Sequence, residues 1–471
     1  MSRPGRDSGD ATRWVLAVCM LLGCSKPSAP PAISPQPIAP RDASLVDAPA
    51  ADAPVDAAVH VQLDRDGNDD AEDPGTGTLF AAGTFAVVGK PPLALDRICD
   101  LTPFGDSLFA AHARSPLGTD GATITRYTPD AKKPFSVAFD WNRPGEKKWG
   151  GAAGQGFLRV HAIDGRLIVP DADSPYNGLG IVEKGTESYV FVSTKDGRFA
   201  PARMPGHRPP ADPDLSKPDG AGAAVLPRAY HVLDVVEFRG GLFASTGSVP
   251  PTQRAWHGPS PGALHRANAS GARWLYEVDY PFPYQEGVWR LTFMVRFRDR
   301  LYAGIQDYDG REPNDYVMIE PPADAAKLER ENMRAVRVTD RGAAGTIRWW
   351  VDTAATPPRL YWIAWDNGDA VIRFTTDGDT WKKLEVPAGA GRPSDITRYR
   401  DAVVVLTERG LWKLDGAALA TTPIAKVEGK NSPFVVNDLL CAAPLAVFRN
   451  ELYAGGQRGG ALYKLVENNA P

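Results

Sequence analysis

Along residues 79–471 the apolar positions fall in short alternating or β-branched runs, such as Val235-Val236-Glu237-Phe238 and Leu301-Tyr302-Ala303-Gly304-Ile305. Runs of this length read as strands rather than helices. One pattern recurs: an apolar or aromatic residue, three more residues, then Leu or Val followed by a second apolar residue. The clearest copies run from Phe238 to Leu242, Phe297 to Leu301 and Phe448 to Leu452. Looser ones run from Phe104 to Leu108, Ile163 to Leu167, Thr356 to Leu360 and Tyr399 to Val403. Two residues before the anchoring Leu or Val stand Asp106, Gly165, Gly240, Asp299, Pro358, Asp401 and Asn450. All are turn formers, so each copy predicts a tight hairpin.

Each hairpin is followed by a second run of strand character, for example Ala370 to Val386 and Gly410 to Glu428. Four strands per unit, with anchors 43 to 75 residues apart, predict an all-β chain folded as a β-propeller. The expected form has seven four-stranded blades; the loose Thr356 and Phe104 copies leave six or eight open. The last copy has three strands before the chain stops. The segment Thr84–Val88 precedes the first copy and is expected to supply the fourth. Such pairing of the N- and C-terminal strands closes the ring and removes a free edge.

Upstream of the strands the character changes. Arg3, Arg6 and Arg13 precede a short apolar run from Trp14 to Leu22, too short for a membrane-spanning helix of ~20 residues but suited to a secretory signal. The run ends in Leu21-Leu22-Gly23-Cys24, which resembles the lipobox of bacterial lipoproteins. The resemblance implies cleavage before Cys24 and acylation of Cys24, so that the lipid chains anchor the protein to a membrane. Asp7 and Asp10 depart from the usual basic start and open the option of a later translation start. Ser25, rather than Asp, follows the Cys and by the same resemblance points to the outer membrane, on the periplasmic side or at the cell surface. The chain thus divides into a signal peptide (1–23), a lipidated Pro/Ala/Asp-rich linker (24–78) and the propeller (79–471).

Charge sharpens that division. Between Ser25 and Thr78 stand ten acidic residues against three basic ones, a net of −7, whereas the whole chain carries −4. The linker has no periodic apolar face and cannot offset its ordering entropy; its prolines make it a semi-extended tether. Within it, Asp64, Asp66, Asn68 and Asp70 alternate as calcium-ligating oxygens do. Gly67 stands at position 4 and Gly75 at position 12, where an EF-hand loop needs Gly at 6 and Glu at 12, so the patch reads as solvated linker. No metal or cofactor is expected, and the near-neutral remainder offers nothing to a nucleic acid.

Once Cys19 is removed and Cys24 lipidated, Cys99 and Cys441 remain, in an exported protein where disulfides persist. Both fall on the innermost strands of the first and last blades, which are neighbours in a closed ring. A Cys99–Cys441 bond is expected, the alternative being two buried free thiols. Counted from the anchor, Asp recurs eight residues before it (Asp100, Asp234, Asp352, Asp395) and a base eleven before it (Arg97, His231, Arg290, Arg392). On a ring these residues line a central channel. They either receive an anionic or polyhydroxylated ligand or pair between blades. The aromatics Trp256, Tyr280, Phe282, Tyr284, Trp289, Trp349 and Trp350 are further candidates, for stacking on a sugar or for filling the space between blades.

Thr375-Thr376-Asp377-Gly378-Asp379-Thr380-Trp381 resembles the Ser-x-Asp-x-Gly-x-Thr-Trp box of sialidase-type propellers, one residue short, and Ser193 to Phe199 is a looser echo. The resemblance implies a structural turn between the outer two strands, away from any catalysis. No catalytic residue is assigned: a serine elbow, a phosphate loop and a His-Glu-x-x-His pair are all missing from the sequence. The expected function is therefore a membrane-anchored, monomeric, non-enzymatic scaffold for a protein, glycan or small molecule. The alternative is a glycan-active hydrolase or lyase working with the channel carboxylates.

Overall fold

The computed structural model describes residues 74–113, 122–141, 156–172, 188–201, 210–226, 229, 231–247, 262–279, 288–307, 313–322, 327–340, 345–366, 369–427, 431–436 and 439–468. Cys24, Asp64, Trp256, Tyr280, Phe282 and Tyr284 lie outside them. Six of the seven expected tight hairpins form, and the seventh, expected at Thr356–Leu360, is instead an antiparallel pair joined by six residues, 353–358. Their inner strands are Arg97–Phe104, His161–Ile163, His231–Phe238, Val288–Phe297, Thr346–Asp352, Pro393–Tyr399 and Leu445–Phe448.

The turns are made by unusual backbone conformations. Asp164-Gly165, Arg239-Gly240 and Arg449-Asn450 have positive φ at both central positions, while Gly105, Arg298 and Arg400 have it at the first. These are the mirror-image turns whose twist matches that of the flanking strands. Four of the six first positions are arginines, which do not favour this region. Each is compensated by contacts. The guanidinium lies 5.2–5.7 Å from the preceding aromatic ring in Phe238-Arg239, Phe297-Arg298, Tyr399-Arg400 and Phe448-Arg449. Each also donates to a carbonyl of a neighbouring part of the ring: Arg239 to Pro321 (2.9 Å), Arg298 to Thr376 (2.6 Å), Arg400 to Thr78 (3.0 Å) and Arg449 to Asp106 (3.0 Å).

The strands form an all-β, propeller-like array of six sheets: four with four strands, one with five and one with eight. This corrects the expectation of seven separate four-stranded blades. Five sheets are blade-sized, and the sixth combines the hairpins that begin at His231 and Val288. The inner strand Val288–Phe297 is ten residues long, and its early part reaches the neighbouring hairpin, where Gly247 pairs with Arg290. Continuous hydrogen bonding through that pair merges the two units.

The ends of the domain meet. Gly83–Gly89 pairs antiparallel with Leu462–Glu467, from Gly83↔Glu467 to Gly89↔Leu462, and forms the outermost strand of the last sheet. Cys99, on the inner strand of the first sheet, forms a disulfide with Cys441, which lies not on the last inner strand, as expected, but in the stretch four residues before it; both are fully buried. It closes a loop across a sequence separation of 342 residues, a constraint on the unfolded chain of roughly 2–5 kcal/mol. Between sheets the core is aromatic. Trp349 and Trp362 stack at 5.3 Å, Tyr316 meets both edge-on, and Trp381 Nε1 donates to Tyr316 Oη at 2.8 Å.

The turn arginines give a test of this account. Arg239→Gly loses the inter-sheet donor but relieves the left-handed backbone, whereas Arg239→Ala loses the donor and keeps the strain. By urea unfolding, Arg239→Ala is expected to cost about 1 kcal/mol more than Arg239→Gly; equal losses would mean that the backbone conformation carries no cost.

Candidate functional site

Four residues before the last residue of each inner strand lies one position per hairpin. Around the ring these are Asp100, Arg159, Asp234, Phe293, Arg348, Asp395 and Pro444. The pairing register slips just before four of the charged members: between Ile98 and Asp100, Val232 and Asp234, Thr346 and Arg348, and Pro393 and Asp395. A β-bulge re-aims the side chain that follows it. Here it turns the charged residues toward the channel.

They form the floor of a cavity of about 240 Å³. Its walls come from the stretches that lead from this layer to the hairpin turns, among them Thr102, His161, Val236, Met294, Trp350 and Thr397. Beneath the floor lies a buried cluster that contains the disulfide with Leu233, Phe293, Trp349 and Trp362.

The aspartates hold strands together. Asp100 Oδ2 accepts the Val160 N–H (3.0 Å), Asp234 Oδ2 the Met294 N–H (2.7 Å) and Asp395 Oδ2 the Leu445 N–H (2.7 Å). Each bond crosses from one inner strand to the next in the ring. The other oxygens are engaged as well. Asp100 Oδ1 accepts from Arg348 Nη1 at 3.0 Å. Asp395 Oδ1 accepts the Ile396 N–H at 2.8 Å and lies 3.2 Å from Arg348 Nε, close enough for an ion pair although the N–H is not aimed at it. Asp234 Oδ1 accepts the Val235 N–H and lies 2.6 Å from His161 Nε2.

Burial shapes the protonation of this layer. It pushes the Asp395 carboxyl up, against the pull of Arg348 and two backbone N–H groups. It pushes Arg348 down, but Asp395 and Asp100 outweigh it and hold Arg348 above its ordinary value. Arg159 is lowered to about 10 by burial, with Arg348 adding to the effect and the charges of Asp100, Asp234 and Asp395 opposing it.

Of the eight channel residues expected from the sequence, Asp100, Asp234 and Asp395 line the cavity together. Asp352 does not. Its inner strand connects to Arg359 through six residues rather than two, so counting back from Leu360 lands four residues late. Arg348 takes the channel position, and Asp352 instead forms a two-pronged pair with Arg398 of the next sheet, at 3.1 and 2.6 Å.

Arg97, His231, Arg290 and Arg392 sit three residues further from the hairpin, about 10 Å along the strand, and are absent from the cavity lining. There His231 Nδ1 donates to Ala172 O (2.8 Å), so its Nε2 accepts from Arg290 Nη2 (2.9 Å). Arg392 pairs with Glu408 at 2.9–3.0 Å, not with Asp395. Counting from the anchor missed His161 and Arg348. Counting eight back from Leu167 does reach Arg159, but as a base it falls outside the Asp pattern at that offset.

The Asp377 turn joins the Asp369–Thr375 strand to the outermost strand of its sheet. Asp377 accepts the N–H groups of Asp379 and Thr380, which hold its carboxyl well below the usual range. Asp379 pairs with Arg300 at 2.7 Å and Arg334 at 2.5 Å. Among the described residues no group of His, Cys, Asp or Glu is placed to hold a metal ion.

No family model matches the chain, and no curated protein matches it. Solved structures do. Virginiamycin B lyase from Staphylococcus aureus is similar at 9% identity and a TM-score of 0.49, over 82% of this chain and 100% of that one. A streptogramin B lyase has 10% identity and 0.49, over 82% and 98%. The polysaccharide lyase Uly1 has 9% identity and 0.41, over 84% and 92%. Superpositions this loose carry no argument about chemistry.

His112, beside the far end of the channel, provides a pH test. It is fully buried; Nδ1 donates to Arg97 O (3.0 Å) and Nε2 accepts from Thr125 Oγ1 (2.7 Å). Burial lowers its pKa from 6.5 to about 4. The unfolded state therefore binds the proton more readily between these values. The contribution is complete above pH 6.5 and is lost as the pH falls toward 4, by about 3 kcal/mol in all. Urea unfolding from pH 7 to 4 is expected to show this loss, and His112→Gln to remove much of the pH dependence. An unchanged dependence in the variant would exclude His112 as its source.

Proposed function

We propose that the chain is an exported, monomeric binding scaffold that takes a small polar ligand into the channel cavity and performs no chemistry on it. The observation that carries this reading is the engagement of both oxygens on each cavity aspartate. An acid–base pair for glycoside chemistry needs carboxyls free to exchange protons with substrate; here they are fixed acceptors between strands.

We also propose that acylated Cys24 tethers the domain to the outer membrane through the acidic linker. Cys24→Ser is expected to move the protein from the membrane fraction to the soluble one; unchanged membrane association would contradict the anchor.

One observation favours a second reading. The 2.6 Å contact between Asp234 and His161 is the arrangement that orients an imidazole as a general base, as a propeller-type lyase or hydrolase would need. Incubating the full chain with the hits of a glycan-array and thermal-shift screen, followed by mass spectrometry, separates the two. The scaffold reading expects ligands that raise the melting temperature and are recovered unchanged. Cleavage that is lost in His161→Gln would replace it with the enzyme reading.

A further inference from the structure

Two guanidinium groups share the cavity floor, and their surroundings differ. Arg348 lies between Asp100 and Asp395. Arg159 is only 4% exposed, yet no carboxylate of the described residues forms an ion pair with it. Its hydrogen bonds go to two backbone carbonyls, Leu158 at 3.1 Å and Ile347 at 3.3 Å. Its guanidinium carbon stands 3.5 Å from the centre of the Phe293 ring, a stacking that fixes the plane of the fork.

The fully buried Arg166 shows the contrast. It also bonds only to carbonyls, but to four of them, and lines no part of this cavity. Two bonds occupy two of the five N–H donors a guanidinium carries. A buried cation left this way is costly, and a partner that arrives with the ligand removes the cost.

We propose that the cavity binds a small organic monocarboxylate, whose carboxylate pairs with Arg159; this rests on the channel being the ligand site. The planar fork of Arg159 matches a carboxylate. Three aspartates against two arginines leave the floor net negative, which disfavours a dianion such as phosphate. The cavity, about 240 Å³, is below the roughly 300–1,000 Å³ of pockets for larger ligands. Its walls at Val236, Met294, Val295 and Trp350 give a carbon skeleton an apolar surface.

The test is calorimetric titration of the full chain with acetate, lactate, benzoate and D-glucuronate, beside inorganic phosphate and D-glucose. At least one carboxylate is expected to bind, with affinity reduced about tenfold or more in Arg159→Lys and abolished in Arg159→Met, at unchanged circular dichroism. In the wild type the Arg159 Nε–H signal in ¹⁵N NMR is expected to shift on addition of that carboxylate, which keeps the test valid where a variant fails to fold. Binding of phosphate alone, or carboxylate binding that survives Arg159→Met without an Nε–H shift, would overturn the proposal. Glucose binding indifferent to Arg159→Met, with no carboxylate bound, would overturn it while leaving the channel as a ligand site. Silence from every probe would count against both.

Discussion

A ring of sheets has one weak place, its centre. There the inner strands converge with no hydrogen-bonding partner on their channel side, and backbone N–H groups removed from water must find acceptors. In this protein the acceptor is a carboxylate. Asp100, Asp234 and Asp395 each reach one strand forward to the N–H of Val160, Met294 or Leu445. A hydrogen bond to a charged acceptor contributes about 1.5–3 kcal/mol. Burying three carboxylates for this purpose has a cost, visible in the raised protonation tendency of Asp395. Arg348 offsets it by lying against two of them, and His161 lies against the third. The disulfide directly below ties the residue before Asp100 to Cys441, in the segment that leads into the last inner strand.

Much of this was legible in the chain. Six of the seven hairpins were readable because turn chemistry is local: Asp, Gly and Asn at the turns need no knowledge of the rest of the fold. The Cys99–Cys441 bond was readable because a closed ring brings the first and last inner strands together. Sheet boundaries were less accessible. Whether two hairpins join depends on how far one strand extends past its own partner, and Gly247↔Arg290 is a single pair with no signature in composition.

The channel layer was half legible, for a similar reason. Counting from the anchor is sound only where every turn has the same length. The long connection after Asp352 breaks that count and hides Arg348. Arg159 was hidden because it is a base at the position, eight before the anchor Leu167, where three others carry Asp. The aromatic-Arg pairs at four turns were visible throughout, but their meaning required the backbone: a left-handed arginine is tolerable only where ring and carbonyl hold it.

The same floor therefore has two kinds of charge. Most of it is committed to framework, which leaves Arg159 as the group whose energetics improve when a ligand enters. That division is the central claim, and it rests on the aspartates being strand acceptors. The most direct measurement is amide hydrogen exchange by NMR at Val160, Met294 and Leu445, in the wild type and in Asp234→Ala. All three amides are expected to be protected in the wild type, and the substitution to expose Met294 selectively. A Met294 amide that exchanges no faster in Asp234→Ala would contradict that claim.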